Sequence, residues 1–134
     1  MSKYVEHAKE LRSSETFHYN CGRSVIIPFA EDAGISNETA MGIGAYFGGG
    51  MKRGGACGAT AGGLVVLGLF GLDDNETVEE YYRRLREKYE DPLDCSELLR
   101  KNEERGGEKT PFCNELIYDC VAIAEDILKE KGKL

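Results

Sequence analysis

The sequence predicts an all-α protein, a compact multi-helix single domain with a glycine-rich central helix. Three observations carry this expectation. Apolar residues recur at spacings of three and four over most of the chain, helix-capping residues precede these stretches, and no segment shows sustained alternation. The length, 134 residues, suffices for one core, so one domain is expected over 1–134. A hydrophobic share of 41%, before 17 glycines are added, argues against disorder.

The elements follow in order. Tyr4, His7, Ala8 and Leu11 form a helical stripe over Lys3 to Arg12, and Ser13 and Ser14 weaken it. Asn20 is a good N-cap for a second helix through Val25, Ile26 and Phe29, which Pro28 kinks or stops. Gly34 fits a C-terminal cap. Ser36 caps a third helix through Ala40, Ile43 and Phe47, and Gly48, Gly49 and Gly50 end it. A glycine-rich connection leads to a fourth helix from Cys57 or Gly58 to about Phe70, with a strand at Leu64 to Leu67 as the rival reading.

Asp73, Asp74 or Asn75 caps a strong helix whose apolar face is Val78, Tyr81, Tyr82, Leu85 and Tyr89, and Pro92 stops it. Asp94 caps a shorter helix holding Leu98 and Leu99, followed by an exposed loop at 101–109. Thr110 and Pro111 read as cap and first turn of the last helix, which carries Phe112, Leu116, Ile117, Cys120, Val121, Ala124, Ile127 and Leu128. From Thr39 to Leu72 the only charged residues are Lys52 and Arg53, so the middle of the chain is the expected buried centre.

Charge excludes some partners. With 17 Lys and Arg against 24 Asp and Glu, the formal charge is -7. Unspecific binding to nucleic acid or anionic membrane needs cationic surface and is not expected, although a small basic site is compatible. The first ten residues hold no apolar signal core, and the stretch Gly62 to Leu72 is too short to span a bilayer. A cytoplasmic protein without membrane insertion is expected.

Five cysteines in such a setting point to redox chemistry or metal binding more than to structural stapling. The expected caps put Cys21, Cys57, Cys95 and Cys113 in first turns of helices, and Cys120 alone mid-helix. Each residue by itself reads as a small hydrophobe filling a helix end. Four such placements together favour thiolates, because a helix N-terminus offers unpaired amides and a potential that lowers a thiol pKa. Successive cysteines are 36, 38, 18 and 7 residues apart, with no Cys-x-x-Cys, which excludes the thioredoxin, ferredoxin and zinc-knuckle patterns. Cys113 and Cys120 lie about 10 Å apart along one helix and cannot pair with each other.

Residues 50–63 suggest an anion-binding nest, with Lys52 and Arg53 adding positive charge. The stretch is neither a Walker A loop nor a G-x-G-x-x-G turn, and its glycines fit close helix packing better than a nucleotide site. His7 reads as a packing residue and His18 as an exposed loop residue near Cys21. No serine triad or His-Glu-x-x-His motif occurs.

These cysteines resemble those of the C_GCAxxG_C_C family of small redox-active proteins. Its central motif corresponds to Cys57-Gly58-Ala59-Thr60-Ala61-Gly62. Asn20-Cys21 matches its first cysteine, Cys95-Ser96-Glu97-Leu98-Leu99 its third, and Cys113 its fourth, at the start of the last amphipathic helix. The resemblance runs from about Tyr4 to Ile127. Gly22-Arg23-Ser24 departs from the usual residues after the first cysteine, and Cys120 falls outside the four. The resemblance implies that Cys21, Cys57, Cys95 and Cys113 are the functional residues. Family genes often lie near transporter genes, which implies a transporter-associated partner.

Three functions compete. The first is thiol-disulfide chemistry, as carrier, sensor or reductase-like protein with a redox partner protein; Cys57 is the expected attacking thiolate, and Cys21, Cys95 or Cys113 resolves the mixed disulfide. The second is a metal or iron-sulfur electron carrier ligated by Cys21, Cys57, Cys95 and Cys113. The third is a non-catalytic, transport-associated assembly module, for which the glycine-laced helix offers a homodimer surface.

Overall fold

The computed structural model describes residues 2–89 and 94–134. Among the described residues seven α-helices run in the order α1 (Lys3–Arg12), α2 (Cys21–Ile26), α3 (Asn37–Ile43), α4 (Gly58–Leu69), α5 (Asn75–Arg86), α6 (Cys95–Glu104) and α7 (Lys109–Glu130). No strand occurs among the described residues; Ala56 and Asp94 form an isolated bridge. The fold is all-α, and Leu64 to Leu67, the possible strand, are helical within α4.

Local chemistry accounts for several boundaries. The Ser36 hydroxyl and the Asp74 carboxylate accept from the amides of Thr39 and Thr77, and so cap α3 and α5. Asn20 caps α2 by accepting from the Arg23 amide at 2.8 Å. Pro28 ends that helix early: α2 stops at Ile26, and a 3-10 turn takes Ile27–Phe29. Gly34 closes the following turn at φ +79°.

Other expected boundaries move. α3 stops at Ile43 instead of reaching Phe47. The Asn20 side-chain amide donates to the Gly44 carbonyl at 2.8 Å and to the Ala45 carbonyl at 3.3 Å, holding the chain in a turn. α6 extends through 101–104, part of the expected loop, with Arg100 bridging Glu97 and Glu104 along its face. α7 begins at Lys109, with Glu108 in the cap conformation. Pro111 is then its third residue, which costs no hydrogen bond because the first four amides of a helix lack intrahelical partners. The stop expected at Pro92 lies outside the described residues.

α7 is the axis of the core. Its residues Ile117, Val121 and Leu128 are fully buried, and α1, α2, α4, α5 and α6 all pack on it. α4 packs most closely on α2. A Cβ on Gly62 would lie 3.1 Å from Val25 Cβ, and one on Gly63 would collide with the Tyr81 hydroxyl. Two glycines of the central helix are therefore spacing residues, which lets α2 and the Tyr81 side chain of α5 approach the N-terminal half of α4.

Candidate functional site

Each of the four expected cysteines is brought in by a different helix. Cys21 is the first residue of α2, Cys95 the first of α6, and Cys57 the N-cap of α4. Cys113 is the fifth residue of α7, so it sits beyond the first turn where the Thr110 cap would have placed it. All four line one small apolar cavity with Phe112 and Leu116. Its volume is about 20 Å³, room for about one water molecule. Residues 36 or 38 positions apart in sequence thus meet around a single space.

The glycine-rich connection places Cys95. Gly49, Gly50, Met51 and Lys52 all have φ between 60° and 66°, forming a left-handed turn in Gly50–Gly54. Met51 and Lys52 are strained there, because a side chain crowds the carbonyl in this region. The turn turns carbonyls, not amides, toward its neighbour. The Gly55 carbonyl accepts from the Cys95 amide at 2.7 Å, and the Gly54 carbonyl accepts from the Ser96 hydroxyl at 2.8 Å. These bonds supply a cap that the Asp94 side chain does not. A Cβ on Gly50 would lie 2.6 Å from Cys95 Cβ, so glycine lets Cys95 approach. The glycines serve the turn and close packing, the reading preferred over an anion site; the Gly54 and Gly55 carbonyls are acceptors for the start of α6, and Lys52 and Arg53 are exposed upon the turn.

Cys21 and Cys113 adjoin in the small apolar cavity and act on each other's acidity. Interaction with Cys113, and then burial, push the Cys21 thiol far up. The same interaction holds Cys113 below the ordinary thiol range, against burial and with help from Arg12.

Burial decides the other thiols. Cys57 is only 6% exposed, and desolvation pushes it up despite the opposing amides of Thr60 and Ala59. Cys95 is also pushed up by burial, then by neighbouring Cys57 and Cys21. The potential of a helix N-terminus is therefore overridden at Cys57, the expected attacking thiolate. Cys120 is fully buried on α7 and likewise pushed up; it neighbours Tyr81 and Thr60 rather than the shared cavity.

Sequence reasoning missed three contributors. Arg12 and Lys109 are the cations that act on the Cys21 thiol, although one ends a charged helix and the other was expected in a loop. Thr60 sits inside the Cys57 motif. Its hydroxyl is buried without a hydrogen-bond partner among the described residues and lies beside the Cys57 and Cys120 sulfurs. An unpaired buried donor is costly, and a Cys57 thiolate would satisfy it. Its position within the motif was the available signal. His18 is exposed but lines a second cavity that reaches Cys21 and Cys113.

Among the described residues no three His, Cys, Asp or Glu side chains are placed together to hold a metal ion. No described helix is long and apolar enough to cross a membrane.

The cysteine order and the motif at Cys57 can now be set against known proteins. Residues 19–127 match the model of the family described as "Putative redox-active protein (C_GCAxxG_C_C)". The chain belongs to this family. The match spans all five cysteines and every helix from α2 to most of α7. No curated protein and no solved structure matches the chain. The redox-active family thus supplies a general redox role, and the geometry of this member must supply the chemistry.

Proposed function

We propose that the protein carries out thiol-disulfide exchange, with Cys113 as attacking thiolate and Cys21 as resolving thiol. The observation that carries this reading is the meeting of these two cysteines, which α7 and α2 bring to one apolar cavity where each shifts the other's acidity. A thiolate is the nucleophile in exchange, and a neighbouring thiol is needed to release the mixed disulfide. Cys113 attacks one sulfur of a partner disulfide, forming a mixed disulfide and expelling the second partner sulfur as thiolate. The Cys21 proton passes to that thiolate. The Cys21 thiolate then attacks Cys113, and the remaining partner sulfur leaves as a thiolate that takes a proton from water. The protein dithiol is oxidised by two electrons and the partner disulfide is reduced to two thiols.

Cys57 and Cys95 face the same cavity and serve as a second pair that exchanges with the first. Their raised pKa values suit thiols that wait protonated. The same four residues around one space leave a second reading, a four-thiolate metal centre of Cys21, Cys57, Cys95 and Cys113, which requires their side chains to close in on the ion from their present positions. The cavity has the scale of a single atom rather than of a cluster, so this reading takes one soft ion.

One sample tests both. The protein is purified without air, and metal, acid-labile sulfide and free thiols per chain are measured. Absence of metal, followed by a Cys21–Cys113 disulfide in the peptide map after mild oxidation, supports exchange. One metal ion per chain with four protected thiols replaces it with the metal-centre reading. Oxidation that leaves both Cys21 and Cys113 free overturns the assignment of the pair.

A further inference from the structure

A cavity of about 180 Å³ reaches the Cys21 and Cys113 pair, and its lining differs from that of the apolar space shared by the four thiols. Arg12, His18, Lys109 and Thr110 contribute to its wall, and among the described residues no carboxylate lines it. This is unusual company in a chain of net charge -7. Arg12 is held rigidly: its Nε donates to Asn114 Oδ1 at 2.7 Å, and a terminal nitrogen donates to the Tyr19 carbonyl at 2.8 Å. Both of those partners are uncharged. Lys109 is exposed at the first position of α7. Neither cation is in an ion pair among the described residues, whereas Lys88, Arg83, Arg84 and Arg100 are each engaged by two carboxylates.

We propose that this cavity docks a small disulfide through an anionic group on one half, a carboxylate held by Arg12 and Lys109 while the adjoining sulfur faces Cys113. The inference rests on the exchange reading and gives it a substrate class. Two positive charges, neither paired with a carboxylate among the described residues, attract an anion, and their field is strongest where water is partly excluded. The volume is below the ~300–1,000 Å³ of sites for drug-sized molecules, so the cavity suits one acidic thiol fragment rather than a folded domain. The fragment left after attack is the one bound to Cys113, and Cys21 releases it by the balanced exchange described above.

The test compares three small disulfides on the full-length reduced protein at low ionic strength: dithiodipropionate, a dianion; bis(2-hydroxyethyl) disulfide, neutral; and cystamine, a dication. Oxidation of the Cys21–Cys113 pair is timed for the wild type and for Lys109→Glu. Ratios to the neutral disulfide remove any change in thiolate reactivity, which scales all three rates together. The dianion-to-neutral ratio falls roughly threefold to tenfold in Lys109→Glu, and the dication-to-neutral ratio rises. Lys109→Gln gives about half the effect on a logarithmic scale. An acidic residue in the first turn is compatible with the helix, so folding is preserved, and thermal unfolding verifies it. Ratios that do not move overturn the inference while leaving the exchange reading intact. If Cys113→Ser reacts with all three disulfides as fast as the wild type, the exchange reading itself fails.

Discussion

Cys21, the first residue of α2, adjoins Cys113 in the second turn of α7, and the two line one apolar cavity. Their interaction separates the two acidities, raising Cys21 and lowering Cys113. In the exchange reading the Cys21 thiol donates to a Cys113 thiolate, and replacing Cys21 with alanine removes that donor. A hydrogen bond to a charged group contributes about 1.5–3 kcal/mol, so Cys113 should titrate about one unit higher or more. Alkylation of Cys113 at neutral pH should then slow about tenfold, with its pH profile displaced upward. Cys21→Ser keeps a donor and should retain most of the rate, yet trap the mixed disulfide at Cys113. Mass-resolved alkylation measures both; an unchanged profile in Cys21→Ala would show that the bond does not set the acidity.

Asn20 joins two ends of secondary structure. Its side-chain oxygen accepts from the Arg23 amide, and its amide donates to the Gly44 and Ala45 carbonyls. Asn20→Ala loses a cap worth about 0.5–2 kcal/mol and leaves the Gly44 carbonyl without that donor, adding about 1 kcal/mol or more. A loss of about 2–3 kcal/mol is expected in urea unfolding. Because Cys21 follows Asn20, the variant should also speed its alkylation. Stability within 0.5 kcal/mol of the wild type would contradict this double role.

Gly63 and Tyr81 are matched in size and hydrogen bonding. Tyr81 is fully buried and donates to the Thr60 carbonyl at 2.8 Å, at a place that a Cβ on Gly63 would invade. Gly63→Ala should cost about 1–3 kcal/mol by overpacking. Tyr81→Phe should cost about 1 kcal/mol by loss of the hydrogen bond. The double variant should be less destabilised than the sum, because removing the hydroxyl makes room for the methyl group. Purely additive energies in a double-mutant cycle would mean that the two do not compete for the space.

What could be read from the sequence was what is decided locally. Ser36, Asp74 and Asn20 each satisfy an amide three residues away, and such caps depend on no distant contact. The stripe of Tyr81, Leu85 and Tyr89 is buried for the same reason of short-range periodicity. Distant partners decided the rest. α3 ends early because of a side chain 24 residues upstream, and Cys113 is displaced from the first turn because Pro111 is tolerated at the third helical position. The cysteine set was visible as four helix-associated residues, but burial at Cys57 and the cations Arg12 and Lys109 follow from packing across the chain. The left-handed turn was equally hidden: Met51 and Lys52 are not residues that announce a positive φ.

The buried thiols also set the response to alkali. Cys57, Cys95 and Cys120 are all pushed up by burial. Their folded pKa values exceed the unfolded value, so their contribution is complete below about pH 8.5 and is lost as pH rises through the folded values. Cys113 has the opposite sign: its contribution is present above the unfolded pKa and is lost as pH falls through its lowered folded value. Unfolding free energy should therefore decline from about pH 8.5 to 10, by up to about 1.4 kcal/mol per pH unit for each raised thiol. Cys120 isolates the effect, since it is fully buried and lies outside the shared cavity. Cys120→Ala should lower stability at pH 7 by leaving a small void, yet flatten the decline above pH 8.5 by about one thiol's share. Parallel curves for the variant and the wild type, in urea titrations at matched ionic strength, would mean that Cys120 ionises as freely in the folded chain as in the unfolded one.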